Sequence, residues 1–260
     1  SDTSAVAIAA ALKADRCEIY TDVDGVFTAD PRIEKSARKL DRISFDEMLE
    51  LASLGAKVMQ SRSIEFAKKF GVTIHVRSSF HDGIGTIIEE EANEMEAPVV
   101  RGVTSNINEA KVTILGVPDK PGIAAEVFKV IAEANINIDM IIQNVGERDT
   151  TDISFTVDKS DLDKLKDIMD SIKESVSAKR VTYDNHIGKV SIVGVGMKSH
   201  SGIAYKMFRV LAEKKINIQM ISTSEIKISV VVEEKKADEA VRALHSAFEL
   251  DKDIIYEGKS

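Results

Sequence analysis

The chain has 260 residues, a formal net charge of −8 and 43% hydrophobic residues. This length predicts roughly two domains with buried cores, and the acidic balance argues against nucleic-acid binding, which needs a basic surface. No apolar run reaches the roughly 20 residues that span a bilayer, and the only cysteine, Cys17, allows no internal disulfide, so we expect a cytoplasmic protein without membrane contact.

Residues 1–90 alternate helical and strand patterns. An Ala-rich helix ("TSAVAIAAALKA") precedes a buried strand ("RCEIYTDV") in which Cys17 reads as a core residue. One or two helices with a break near Gly55 follow, and then a strand ("VTIHVRSS"). This alternation predicts an open α/β sheet, and the acidic stretch 91–98 reads as a linker.

The remaining sequence contains an internal repeat. The stretch from Lys111 ("KVTILGVPDKPGIAAEVFKVIAEANINIDMIIQNV") aligns with the stretch from Lys189 ("KVSIVGVGMKSHSGIAYKMFRVLAEKKINIQMISTSEI"). Each copy has the pattern of a ferredoxin-like βαββαβ unit, with Ser160 as the expected cap of a second helix. We predict modules at 99–185 and 186–260. Two extra strands ("PVVRGVTS" and "KDIIYE") complete a sheet, but the pattern does not say which, and the last strand is also a candidate for the first module.

The run "YTDVDGVFTADPR", Tyr20–Arg32, is the strongest chemical signal. In an open α/β sheet, ligands bind beyond the carboxyl ends of strands, so acidic residues placed there suit a nucleotide. A calcium loop counted from Asp22 fails, because Val26 and Ile33 stand where oxygen ligands are needed. A solvated structural turn remains an alternative. The histidines show no metal-ligand spacing, so we expect no bound metal.

Several of these stretches resemble the aspartokinases of bacteria, the type that carries two ACT regulatory modules. They are "SDTSAVAIAAALKAD", "EIYTDVDGVFTADPR", "FDEMLELASLGAKV", "INIDMIIQNV" and "VGVGMKSHSGIAYKMF". The resemblance covers essentially the whole chain. It implies a partial amino-acid-kinase (carbamate-kinase-like) sheet followed by two ACT modules. It also implies ATP-dependent phosphorylation of L-aspartate, at the entry to lysine, threonine and methionine synthesis, with feedback by those end products.

The resemblance also assigns roles to residues. Ser1 is implied to contact aspartate, and Asp2 and Lys57 are implied to be catalytic. ATP enters as its Mg²⁺ complex, as a substrate. The implied ATP-binding residues are Thr21, Asp22, Phe27, Thr28, Ala29, Asp30, Pro31, Arg32 and Lys57.

An amino-acid effector is expected at the module loops. The loop "PDKPGIA" leads into a helix N-terminus, whose free N–H groups can bind a carboxylate, while Asp119 and Asp139 offer negative charge to an ammonium. We predict that Asp139→Ala weakens binding far more than Gln219→Ala. The effector set, completed by the resemblance, is Asp119, Gly122, Ile123, Ala124, Asn137, Ile138, Asp139, Gln143, Ile203, Ala204, Asn217, Ile218, Ser224 and Glu225.

The partners implied are aspartate, ATP and threonine or lysine as effector. A homo-oligomer formed by ACT pairing is expected, with a smaller ACT-only subunit as a further candidate partner. The family's "KFGG" and "GRGG" motifs do not occur in the chain, so we expect the 260-residue polypeptide alone to lack kinase activity. Two alternatives stay open. One is a non-catalytic amino-acid-binding regulatory subunit, and the other is a glutamate or UMP kinase of the same fold, which the two ACT copies disfavour.

Overall fold

A computed structural model describes residues 1–55, 58–90, 99–146 and 149–252. The chain divides into two compact units. One unit contains residues 1–105, 190–230 and 236–260, and the other contains residues 106–189 and 231–235. Among the residues that the structure describes, no helix has the length and apolar character to cross a membrane.

The first region is a mixed α/β layer, as predicted. Its elements are α1 (Asp2–Leu12), β1 (Cys17–Thr21), β2 (Arg42–Ser44), α2 (Phe45–Ser53), α3 (Ser61–Phe70), β3 (Ile74–Ser78) and β4 (Thr86–Glu89). The strands form one sheet in the order β1-β3-β4-β2. In this sheet β1 pairs parallel with β3, β2 pairs parallel with β4, and β3 pairs antiparallel with β4.

Local sequence explains where these helices begin and end. Ser44 and Glu47 form a capping box at the start of α2, with Ser44 Oγ accepting the N–H of Glu47 at 3.2 Å. Helix α3 is capped at its C-terminus by Gly71, whose φ of 66° belongs to the left-handed region that glycine adopts without strain. The break predicted near Gly55 is confirmed, because α2 ends at Ser53. Cys17 is buried, also as predicted.

The first repeat copy folds as the predicted βαββαβ unit. Its elements are β6 (Glu109–Pro118), α4 (Ile123–Glu133), β7 (Ile138–Val145), β8 (Thr150–Asp158), α5 (Leu162–Ser175) and β9 (Arg180–Asp184). The sheet has the order β7-β8-β6-β9, and every neighbouring pair is antiparallel. The predicted cap at Ser160 is wrong. A short 3₁₀ turn precedes α5, and the Asp158 carboxylate accepts the Ser160 N–H at 2.8 Å.

The second copy has the same parts but a different edge strand. Its elements are β5 (Gly102–Asn106), β10 (Ile187–Val193), α6 (Ile203–Glu213), β11 (Met220–Thr223), β12 (Lys227–Glu233) and α7 (Ala237–Ala247). The sheet has the order β11-β12-β10-β5, so β5 occupies the place that β9 has in the first copy. The predicted start of the first module at residue 99 is therefore corrected, because β5 joins the sheet of the second module.

Some residues predicted to be functional or structural in this copy lie outside its strands or outside the described residues. Strand β11 begins only at Met220, so the predicted effector residues Asn217 and Ile218 lie in the connection that precedes it. The predicted last strand, "KDIIYE", and the linker 91–98 fall outside the described residues, apart from Lys252.

Candidate functional site

A cavity of about 630 Å³ lies beyond the carboxyl end of β1. Strand β1 ends at Thr21, beside Ser78 at the end of the parallel strand β3. The chain then turns through the segment 22–33, which forms most of the cavity wall, where open α/β sheets bind their ligands. The lining residues are Asp22, Val23, Asp24, Gly25, Val26, Phe27, Ala29, Asp30, Pro31, Arg32, Ile33, Leu51, Gly55, Val58, Val103, Thr104, Ser105 and Val241.

The structure brings most of the predicted ATP-binding residues together in this cavity. Among the described residues, the exceptions are Thr21 and Thr28. The hydroxyl of Thr21 donates to Asp22 Oδ1 at 3.1 Å, just before the cavity wall begins. Thr28 is only 1% exposed, so its side chain is directed into the protein rather than into the cavity. We therefore expect Thr28 to support the wall and not to contact a ligand.

An ion pair between Asp30 and Arg32 shapes the polar part of the cavity. Arg32 donates from its Nη2 to Asp30 Oδ2 at 2.7 Å and from its backbone N–H to Asp30 Oδ1 at 2.9 Å. These bonds from Arg32 lower the pKa of the Asp30 carboxyl below its ordinary value. Arg32 is the one cation among the described lining residues, and its side chain is 84% exposed. A polyphosphate could therefore reach its guanidinium.

A second cavity, of about 500 Å³, contains the predicted catalytic Asp2. Ser1 Oγ donates to Asp2 Oδ1 at 3.2 Å, so both residues predicted near the substrate lie at the start of α1. Val58 lines both cavities, which makes them neighbours. Lys57, predicted to be catalytic, falls outside the described residues.

Sequence reasoning missed residues at the start of α3. Gln60, Ser61 and Arg62 line the cavity of Asp2, where the first N–H groups of α3 and a guanidinium can meet an anion. The stretch "QSRS" ahead of a helical pattern was the available signal. It is weak by itself, because such stretches mark many helix starts.

The two loops predicted to bind an effector enter their helices in the same way. Gly122 precedes α4 with φ of 94°, and Gly202 precedes α6 with φ of 87°. A Cβ at either position would meet no atom within 4 Å, so the backbone conformation alone explains these glycines. The predicted Ile123 and Ala124 begin α4, and Ile203 and Ala204 begin α6.

Asp139 lies on the edge strand β7, but its carboxylate is already paired. Lys189 Nζ contacts both Asp139 Oδ2 and Glu109 Oε1, and the Lys189 side chain is only 2% exposed. Burial raises the pKa of Glu109, which lies 4% exposed beside this lysine. Asp139 is half exposed, so it can meet a ligand only while it also balances Lys189.

The other predicted effector residues lie in two places. Asn137, Ile138 and Gln143 lie at the start of β7 or along it, with Asn137 and Gln143 exposed. Ser224 and Glu225 form the turn between β11 and β12, and Glu225 pairs with Lys198 of the loop before α6 at 3.4 Å. Asp119 is exposed, and its N–H donates to the Asp149 carbonyl at 2.8 Å.

Three family models match successive parts of the chain. The amino acid kinase family matches residues 1–78, and two ACT domain models match residues 111–174 and 190–248. This order, part of an amino acid kinase domain followed by two ACT domains, places the chain in the class of amino-acid-kinase proteins that carry ACT domains.

The relatives identify the family within that class. An aspartate kinase of Pseudomonas fluorescens is 56% identical over 252 residues, or 96% of this chain and 61% of the relative. This chain therefore spans about three fifths of that relative's length. A structure titled aspartokinase alpha and beta subunits is 49% identical, covering 58% of this chain and 99% of its own, with a TM-score of 0.55. The chain belongs to the aspartokinase family.

Two further solved structures resemble the chain over most of its length. Clostridium acetobutylicum aspartate kinase has a TM-score of 0.86 at 27% identity, covering 95% of this chain and 57% of its own. E. coli aspartokinase III in complex with aspartate and ADP has a TM-score of 0.78 at 28% identity, with 95% and 55% covered. The same enzyme has also been solved in complex with lysine and aspartate.

Proposed function

We propose that this chain is part of an aspartate kinase that transfers the γ-phosphoryl group of ATP to the side-chain carboxylate of L-aspartate. The product is 4-phospho-L-aspartate, which feeds lysine, threonine and methionine synthesis in the cytosol. The cavity beyond β1 carries this proposal, because it gathers Asp22, Phe27 and the segment 29–32 at the place where nucleotides bind to α/β sheets. The ADP bound to E. coli aspartokinase III supports the choice of nucleotide.

In this proposal the two neighbouring cavities bind different substrates. The larger cavity holds the nucleotide of the Mg²⁺–ATP substrate, with Arg32 exposed toward its phosphates. The smaller cavity holds the aspartate near Ser1 and Asp2. Phosphoryl transfer depends mainly on positioning and charge stabilisation, so the cations Arg62 and Lys57 are the residues that we propose to balance the transferring group.

The regulatory part of the proposal concerns the first repeat copy. An effector amino acid, threonine or lysine, binds with its carboxylate at the N-terminus of α4 and its polar groups near Asp139 and Gln143. Because β7 is an edge strand, a second copy of the chain can pair with it and bury the effector. We therefore propose a homo-oligomer formed through the ACT modules. The lysine in the E. coli structure supports an amino-acid effector.

The test is a chimera in which these 260 residues are joined to the part of the Pseudomonas fluorescens relative that they do not cover. We expect ATP- and aspartate-dependent formation of aspartyl phosphate, trapped as the hydroxamate. Asp2→Asn should lower kcat by about a hundredfold, as for loss of one charge-orienting group. Asp15→Asn, which changes an exposed residue after the same helix, should not. A folded chimera without turnover would contradict the proposal.

A regulatory subunit without catalysis is the second candidate. One observation favours it, because the regulatory subunit of Thermus thermophilus aspartate kinase matches 58% of this chain at 39% identity over 99% of its own length. Calorimetry on the same preparations separates the two functions. Binding of lysine or threonine by a chimera that shows no turnover would select the regulatory subunit.

A further inference from the structure

Helix α7 of the second repeat copy is buried along a wider stripe than the equivalent helix α5. Helix α5 buries Leu162, Leu165, Met169 and Ile172. Helix α7 buries three of the four corresponding residues and also its fifth and ninth residues, Val241 and His245, which are 1% and 0% exposed. The fifth and ninth residues of α5 are Lys166 and Asp170, and both are exposed. The burial of Val241 and His245, which widens the stripe on α7, therefore needs an explanation beyond the module's own core.

Val241 and His245 of α7 pack against the cavity beyond β1 and against the segment 27–32 in its wall. Val241 lines the larger cavity together with Asp22 and Arg32. One helical turn further along, His245 Nε2 lies 2.9 Å from Thr28 Oγ1. Thr28 belongs to the segment 27–32, so α7 both lines the cavity and contacts the residue that supports its wall.

The bonds of Thr28 show what His245 contributes. Thr28 Oγ1 accepts the Arg38 N–H at 2.9 Å, and the Thr28 carbonyl accepts the Val103 N–H at 2.8 Å. Because Oγ1 already accepts one bond, the hydroxyl proton is available for a neutral His245 Nε2. Burial lowers the pKa of His245, with Glu34, Asp251 and Arg38 as its charged neighbours, which favours this neutral form. Removing the imidazole would leave a buried hydroxyl proton without an acceptor.

We propose that helix α7 of the second ACT module is part of the nucleotide site, and that His245 is a positioning residue that holds Thr28 and thereby the cavity wall 27–32. This inference rests on the proposed nucleotide site. It assigns the second module a direct structural role in nucleotide affinity, separate from any effector that it binds.

The test measures binding of a fluorescent N-methylanthraniloyl derivative of ADP, with Mg²⁺, to the whole 260-residue chain. Thr28→Val keeps the shape of the side chain but removes the hydroxyl, and we expect about a tenfold weaker Kd. His245→Phe should weaken binding similarly, and His245→Gln, which restores an acceptor, should recover most of the affinity. The double variant Thr28→Val/His245→Phe should bind no more weakly than the weaker single variant, because both changes remove one bond.

Controls make the outcomes distinct. His186→Phe changes an exposed histidine and should bind as tightly as the unaltered chain. Thr28→Ser keeps the hydroxyl and should bind the probe more tightly than Thr28→Val, so this pair of variants carries the test if His245→Phe does not fold. Equal affinity of Thr28→Val and Thr28→Ser would overturn the inference alone. Failure of the unaltered chain to bind the probe would overturn the proposed nucleotide site and this inference together.

Discussion

The two copies of the repeat share a fold but differ in what completes them. The first copy closes its own sheet with β9 and buries a narrow stripe of α5. The second copy takes β5, which precedes the first copy in the chain, as its edge strand, and it buries a wider stripe of α7. The same fold therefore occurs twice, but among the described residues only the second copy contributes its edge strand and its last helix to the cavity beyond β1.

Equivalent lysines in the two copies test this difference most strongly. Lys189 is buried between Glu109 and Asp139, whereas its counterpart in the repeat, Lys111, is partly exposed. We expect Lys189→Met to lower the free energy of unfolding by about 3–5 kcal/mol, because the buried carboxylate of Glu109 loses its cation and the half-exposed Asp139 loses the same partner. Lys111→Met should cost less than about 1 kcal/mol. Urea unfolding monitored by circular dichroism measures both.

A third variant shows whether charge causes the loss. Glu109→Gln combined with Lys189→Met removes one of the two carboxylates left behind, and it should recover part of the lost stability. Equal costs for Lys189→Met and Lys111→Met would mean that the buried ion pairs do not distinguish the two copies.

The second test compares Asp139 with its counterpart in the repeat, Gln219. Asp139→Ala should weaken effector binding by about tenfold or more, as for loss of a charged hydrogen-bonding group, and Gln219→Ala should have a much smaller effect. Calorimetry with lysine and threonine measures both. Because Asp139 also pairs with Lys189, Asp139→Ala should destabilise the fold as well. Binding is therefore measured where unfolding curves show every variant fully folded. Equal effects at the two positions would refute the predicted asymmetry.

The smallest effect is expected where the copies are alike. Gly122→Ala and Gly202→Ala each place a Cβ in open space but at positive φ. Each should therefore lower the free energy of unfolding by only about 1–2 kcal/mol, and by similar amounts, through backbone strain alone. Thermal unfolding of the two variants checks this equality. A much larger cost at Gly122 would show that the two loops are held differently.

Much of the fold could be predicted from residue patterns. The βαββαβ order of the first copy, the helix break near Gly55 and the burial of Cys17 all follow from periodicity and turn residues. The cap at Ser160 was wrong, because Asp158 supplies the stronger acceptor at the start of a 3₁₀ turn that precedes the helix. Such short-range competition between two polar residues is not visible in a hydrophobic pattern.

The candidate site was predicted only in part. Most residues of the segment 27–32 line one cavity, since consecutive residues after a strand stay together in space, but their binding of ATP stays a prediction. The contribution of Val241, and of Arg62 to the neighbouring cavity, was missed, because neither residue lies close to that segment in the chain. The functional roles of these residues remain predictions.

The sequence alone determined what depends on neighbours along the chain. The repeat, the positions of the helices and strands, and the acidic turn after β1 are all written in local patterns of hydrophobic, glycine and polar residues. Tertiary structure decided which strand closes the second sheet, that Lys189 occupies the carboxylate of Asp139, and that His245 supports Thr28. These contacts join residues far apart in the chain. A buried charge or hydroxyl stabilises or destabilises the fold according to the partner that tertiary packing brings to it.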